Sequence, residues 1–490
     1  MKIYSFDEPL LKFANDNHEC PRFGITNFET YDSQSVLIDT KPKDIVLGII
    51  GTEQIFEKFE TWLKLCADFI EAKPSNQPNL FTSFCGFNEY SGFKAKMVYS
   101  STYFRPIKDT EINKAIKEVK NKRSREDVIK EIAEIYLQNI KFLAENKTPK
   151  VIICLIPDKL FSKVLKIEKI ETESIDKTDK DEIEDLENAI ETNFHHYLKA
   201  KSMKHKIPIQ LVRERTLSTE QISGKGKSDL QDLATRAWNF CTAVYYKAGG
   251  IPWKATIKDD NDLTCFVGIS FYRSLDKETL QTSLAQIFDE QGKGVILRRG
   301  EVQIDKDDRK PHFTKQQAYE LLKDAIEAYK FAENVNPKRI VIHKSSKYSD
   351  QESEGFIRAL EEKEIATFDF ITIYESDIRL FRTGNYPPLR GTCFELSETE
   401  RLLYTKASVS FYQTYAGMYI PQPIEIRIAE LNSSANQICK EILSLTKMNW
   451  NKTQFDGKMP ITIDCSRSVG SIMKYLDDDE KPEIRYSFYM

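Results

Sequence analysis

The chain has 490 residues, 40% of them apolar and 30% charged, with 71 Lys and Arg set against 75 Asp and Glu for a net charge of −4. That length holds two or three domains with substantial cores. The charge balance tells mildly against a protein that coats nucleic acid by bulk charge; a polyanion binder of this composition must gather its cations in one groove.

In chain order, the first 43 residues are mixed, and DIVLGIIG at 44–51 is a continuous apolar run of buried-strand type. A helix follows, with Ile55, Phe59, Trp62 and Cys66 at helical spacing. Residues 74–88 read as a loop, 127–145 as an amphipathic helix and 150–157 (KVIICLIP) as a second buried strand leading into a helix. Lys166–Glu191 is charge-dense and reads as a solvated loop feeding a helix that runs to about Ser202. IPIQLV at 207–212 is a third strand. A helix is expected from Ser228, as N-cap with Gln231 completing a capping box, to Lys247. This alternation predicts a parallel, Rossmann-like sheet, and no GxGxxG follows any strand, so a dinucleotide is not supported. Gly249–Gly250 stop the last helix and Pro252 prevents its resumption, which places a boundary near residue 250.

The second half has another rhythm. Strands are expected at LTCFVGISFYRS, GVILRRGEVQID, RIVIHKSS, FDFITIYES, CFELS and PIEIRIA, with helices over Lys315–Asn334, near Ser434–Leu445 and near Ser468–Leu476. A long hairpin followed by helix, strand and helix is compatible with the RNase H fold. Nine cysteines are scattered singly, without a CxxC, and most lie in apolar runs such as VIICLI. Reduced core thiols and a cytoplasmic protein are expected. No apolar run reaches transmembrane length and the opening residues do not read as a secretory leader.

A lysine in the last turn of a helix complements the helix dipole, so Lys247 alone means little. The string K-A-G-G-I-P-W, however, resembles the junction between the MID and PIWI domains of Argonaute proteins. Tyr197 and Lys201 are four apart on one helix, Gln210 lies on the next strand and Lys247 closes the set, an order that resembles the MID pocket for the 5′-phosphate of a guide strand. The resemblance implies an α/β protein, a Rossmann-like MID domain with an N-terminal extension over 1–250 and an RNase H-like PIWI domain over 251–490. Ala243 stands where many relatives carry a further lysine, so a Mg²⁺ ion is expected to replace that charge, held by the carboxylate of Met490. Asn239 is a further candidate contact, and the ring of Tyr197 could stack on the first base.

The same resemblance bears on catalysis. Target slicing needs carboxylates that hold two metal ions. Ser270, in GISF, and Ser345, in HKSS, stand where two of them belong, and the fourth ligand position falls on Arg467. No catalytic residue is therefore assigned and no target cleavage is expected. A rival reading, an active guide-directed nuclease, would draw on Asp262, Asp350 or Asp464; a second rival is an unrelated two-domain α/β small-molecule enzyme. Arg298–Arg299, Arg309–Lys310, Lys315, Arg379, Arg382 and Arg390 are candidates for a guide–target channel, whereas His195, His196 and His343 are expected to be structural or solvent-facing.

Full-length relatives carry N and PAZ domains before MID. With the first sheet starting near residue 44, the chain resembles a short prokaryotic Argonaute. That resemblance implies a guide RNA, a single-stranded DNA target and an APAZ-containing effector partner. A TIR NADase comes first among the effectors, with Sir2 or a nuclease next, and target recognition switches the effector on in antiviral or plasmid defence.

Overall fold

The computed structural model describes the chain except residues 1, 35–40, 122, 166–192, 220–229, 257–262, 276–279, 289–293, 297–298, 305–310, 381–386, 416, 418–419, 455–456 and 478–479. The expected capping residue Ser228 and the charge-dense Lys166–Glu191 segment lie outside the described residues.

The N-terminal strand is β1 (Lys2–Ser5). The first sheet is formed by β2 (Asp44–Gly51), β3 (Lys96–Val98), β4 (Phe104–Pro106), β5 (Val151–Ile156) and β6 (Ile209–Arg213). Its order is β3-β2-β5-β6, with β4 also on β2, and every pairing is parallel. Parallel strands are covered on both faces, which is why β5 is apolar throughout and buried along its whole length. Its residues alternate between two cores: Val151, Ile153 and Leu155 join one, Ile152, Cys154 and Ile156 the other. Helix α1 (Glu53–Ala67) seals the first with Phe59, Trp62 and Cys66, and the helix over Arg125–Asn146 (α2) seals the second with Ile132, Tyr136 and Ile140. The Rossmann-like expectation holds.

In the second half, β7 (Thr264–Arg273), β8 (Leu280–Phe288) and β9 (Arg299–Ile304) form an antiparallel run. The strands β10 (Arg339–Lys344) and β11 (Thr367–Glu375) add in parallel beside β7. The order β9-β8-β7-β10-β11 is that of an RNase H-like sheet. The sheet continues through Ile424–Leu431, Glu400–Leu403 and Thr392–Glu395 to β1 at its far edge. The N-terminal extension thus lends its first strand to the second sheet, and Leu11–Lys12 pairs with Lys254–Ala255. Buried ion pairs fix this crossing. Glu8 bonds Arg390 and Lys447, and Lys447 also donates to the carbonyls of Pro9 and Glu19.

One core continues from the first sheet into the second half, through Trp238, Tyr245 and Trp253 to Trp450, Tyr486 and Met490. The helix over Ile461–Met473 lies against β7 so closely that a Cβ on Gly268 would sit 2.2 Å from the Thr462 carbonyl oxygen. All nine cysteines are free, and all but Cys85 are buried, as expected of core thiols. Among the described residues no helix is long and apolar enough to cross a membrane.

Candidate functional site

The helix over Phe194–Ser202 (α3) begins at Asn193, whose side chain accepts from the His196 N–H. The Asn193 N–H donates to the Tyr475 hydroxyl at 2.9 Å, tying this end to the second half. Phe194 and Leu198, four apart, are buried and fix the rotation of the helix. His195 and Lys199 share one face, while Tyr197 and Lys201, two positions on, are turned by about 200°.

That rotation decides which side chains meet. Lys199 is buried and donates to the main-chain oxygens of Tyr489 (3.3 Å) and Met490. Lys247, also buried, donates to Oε1 of Gln210, on the edge strand β6. Lys199 and Lys247 lie close enough to repel, and both lie close to His195. Burial lowers Lys247 to about 7. It pushes Lys199 well below the ordinary lysine range, with Lys247 adding to the effect. His195 is exposed to solvent on one side, yet the groups crowded around it and the nearby cations hold it below a normal imidazole. The recess therefore gathers His195, Lys199, Gln210, Lys247 and Met490.

The junction that follows positions Lys247. The helix over Leu233–Lys247 (α4) is capped by Asp232, which accepts from the Thr235 N–H, rather than by Ser228. Gly249 adopts a left-handed φ of 102° at its end. A Cβ on Gly250 would meet the Tyr245 ring at 2.3 Å. The Tyr245 hydroxyl and the Ile251 N–H both donate to Asp32, at 2.6 and 2.9 Å. The K-A-G-G-I-P-W string is thus a clamp that fixes where α4 ends.

Four expectations need correction. Lys201 faces away from the recess and pairs with Asp477 (2.6 Å) and Glu480 (2.8 Å). Burial lowers its pKa, but hydrogen bonds to those two acids outweigh that, and the net shift is upward. Tyr197, on the same face, packs edge-on against Tyr475 with ring centroids 5.8 Å apart. The His195–Lys199 pair takes the place expected of Tyr197–Lys201. Asn239 is used up structurally: its Oδ1 accepts from the Thr453 N–H and hydroxyl, and its Nδ2 donates to Gln231. Arg390 is no channel residue, being buried with Glu8 and the Leu443 carbonyl.

Mg²⁺ fits this recess poorly. The Met490 oxygen expected to hold it already accepts from an ammonium group, and Lys247 brings a second. Among the described residues, no group of three or more His, Cys, Asp or Glu is placed to hold a metal.

Of the other cations, Lys315 pairs with Glu354 at 2.7 Å and Arg379 is exposed. Arg298, Arg309, Lys310 and Arg382 lie outside the described residues, and Arg299 begins β9. His196 and His343 behave as expected of structural histidines. His196 lies in the first turn of α3, and His343 is buried with its Nδ1 2.8 Å from the Thr462 hydroxyl.

Ser270, within β7, and Ser345, just past the end of β10, lie close together. Ser270 is buried on β7, and the Ser345 N–H donates to the carbonyl of Ile269 at 3.2 Å. Beside the end of β11, Arg467 lies 3.7 Å from Glu375, which also binds Lys458. Burial raises Asp464 to about 6, against the pull of Lys452 and Arg467. Asp350 is an exposed first residue of the Asp350–Glu362 helix, and Asp262 lies outside the described residues.

A family model for the Piwi domain matches residues 185–475, more than half of the chain. The chain belongs to the Piwi family. It is 25% identical over 282 residues to the protein argonaute of Aquifex aeolicus, covering 57% of this chain and 36% of that one. Among solved structures it resembles Clostridium butyricum Argonaute bound to a guide DNA and a 19-mer target DNA, with a TM-score of 0.64, 15% identity, and 97% of this chain on 53% of that one. It also resembles Marinitoga piezophila Argonaute in complex with 5′ OH guide RNA, with a TM-score of 0.56, 12% identity, and 100% of this chain on 59% of that one. At these identities the structural likenesses show the fold. The chain spans about half the length of those solved relatives and about a third of the curated one.

Proposed function

We propose that this Piwi-family chain is a prokaryotic Argonaute that holds a guide RNA by its 5′-phosphate and presents it to complementary single-stranded DNA. The observation that carries this is the convergence of Lys199, Lys247, Gln210 and His195 in one recess between the two halves. Buried ammonium groups and an amide, with no side-chain carboxylate bonded to either lysine among the described residues, suit a phosphate monoester. The guide then supplies sequence by base pairing while the protein reads backbone and terminus, so many guide sequences are accepted. Two relatives were solved with guide strands, one with a DNA guide and one with an RNA guide, which supports this class of ligand.

The second half, in this reading, does not slice. A hydroxyl is a weak ligand for a bridging metal ion, and Ser270 and Ser345 offer only hydroxyls where carboxylates are needed. Arg467 and Lys458 add positive charge nearby and occupy Glu375. Catalysis would then reside in a separate APAZ-containing effector, a TIR NADase first and Sir2 or a nuclease next, as for a short form of the family. We keep 1–250 and 251–490 as the proposed units.

The deciding assay loads the purified chain with a 5′-phosphorylated guide and adds complementary DNA with Mg²⁺ or Mn²⁺. Guide-dependent target retention without a cut is expected. A defined cut opposite the middle of the guide would revive the nuclease reading and turn attention to Asp464. Absence of guide-dependent retention would overturn the binding role itself.

A further inference from the structure

We propose that the recess takes up a proton when it binds a 5′-phosphate, so that guide loading is driven by charging the Lys199–Lys247–His195 cluster. This rests on the guide-binding reading above and concerns how that site is regulated.

The geometry comes first. Three basic side chains from two helices share one recess; Lys247 donates to Gln210 Oε1, and Lys199 to the main-chain oxygens of Tyr489 and Met490. Among the described residues, only the Met490 carboxyl oxygens could carry negative charge there, and they face Lys199. They offset one cation and leave a second. From α3 itself, His196 also faces Lys199, and Lys474 approaches His196 from the Ile461–Met473 helix and its end. The acids Asp477 and Glu480 are bound to Lys201 on the opposite face. Two buried ammonium groups without matching anions are costly, so the guide-free site sheds charge. The downward shifts of Lys199, Lys247 and His195 are the same physics.

A phosphate monoester carries a charge of about −1.5 to −2 near neutral pH. Seated between the lysines it restores their ordinary preference for the charged form, and the missing proton is drawn from solvent. With Lys247 near 7 in the free site, uptake is largest around pH 8. It declines toward pH 6, where Lys247 is already charged and the phosphate releases its own second proton (pKa about 6). Between pH 8 and 9, affinity for a 5′-phosphorylated guide falls by up to about tenfold.

The test is titration calorimetry of the full chain at pH 8 in two buffers of different ionisation enthalpy. It compares 5′-phosphate and 5′-hydroxyl guides of one sequence. We expect uptake of about one proton per phosphorylated guide and none with the hydroxyl guide. Lys247→Arg, which cannot shed its charge, should keep the phosphate preference and lose most of that uptake. Equal heats in both buffers with the preference intact would overturn the proton linkage. So would full uptake retained by Lys247→Arg. Equal affinity for both guides would instead overturn the guide-binding reading.

Discussion

Buried lysines occur in both halves of this molecule, and they are treated in opposite ways. In the second half Lys344 is fully buried and meets a fully buried Glu352 at 2.6 Å. Glu352 also accepts from the N–H groups of Phe313 and Ser349, and its other neighbour is His312. Every charge there has its partner, and the aromatic rings of Phe271, Phe313 and Tyr348 surround the ammonium. In the recess of the first half, Lys199 and Lys247 are buried with neutral acceptors only, the Met490 oxygen aside. The first arrangement holds a strand to a helix. On the guide-binding reading proposed above, the second leaves an anion's place open at some cost in stability, as binding sites do and structural ones do not.

The largest expected effect follows from the satisfied pair. Glu352→Gln strips Lys344 of its counter-charge and should lower stability by about 3–5 kcal/mol in urea denaturation. A loss below about 1 kcal/mol would show that the pair is no more than a surface bridge, and the contrast with the recess would collapse.

The unsatisfied lysines should respond the other way. Lys199→Met or Lys247→Met should reduce the preference for 5′-phosphate over 5′-hydroxyl guides by about 10–100-fold, the range of one to two charge-assisted hydrogen bonds. The guide-free Lys247→Met protein should be no less stable, since Lys247 has no anionic partner among the described residues. Lys247 has a folded pKa of about 7, below its unfolded value near 10.4, so the unfolded chain binds more protons across that window. Through this group stability rises as pH rises from 7 toward 10, and Lys247→Met should flatten that slope. Equal affinity losses for both guides would remove the pocket assignment.

Much of this architecture was legible beforehand, because apolar runs as short and as rich in Ile and Val as DIVLGIIG and VIICLI favour strands buried on both faces. The K-A-G-G-I-P-W junction was legible because a left-handed glycine and a ring packed on the next glycine leave few alternatives. The rotation of α3 was not. His195–Lys199 and Tyr197–Lys201 have the same spacing, and pattern alone cannot choose between faces. One local signal favoured the first: Phe194 and Leu198 set the buried side, whereas the acids that hold Lys201 are far along the chain. Arg390 illustrates a harder case, since its partner Glu8 is 382 positions away and no local pattern announces it.

The smallest effect is also the sharpest test of that rotation. Lys201 keeps 12% of its side-chain surface exposed and holds Asp477, which is 71% exposed, and Glu480. A pair open to water on one side contributes about 0–1 kcal/mol, less at high salt. Lys201→Met should therefore shift stability by no more than that, and phosphate selectivity by less than about threefold, the residue of long-range charge alone. Tyr197→Phe should do less still, since its ring contact with Tyr475 survives. Both are read by competition between phosphate and hydroxyl guides beside Lys199→Met. If Lys201→Met matched Lys199→Met, α3 would have to turn by roughly half a revolution in the guide-bound protein. Phe194 and Leu198 would then leave the core, which makes the small effect the outcome the packing demands.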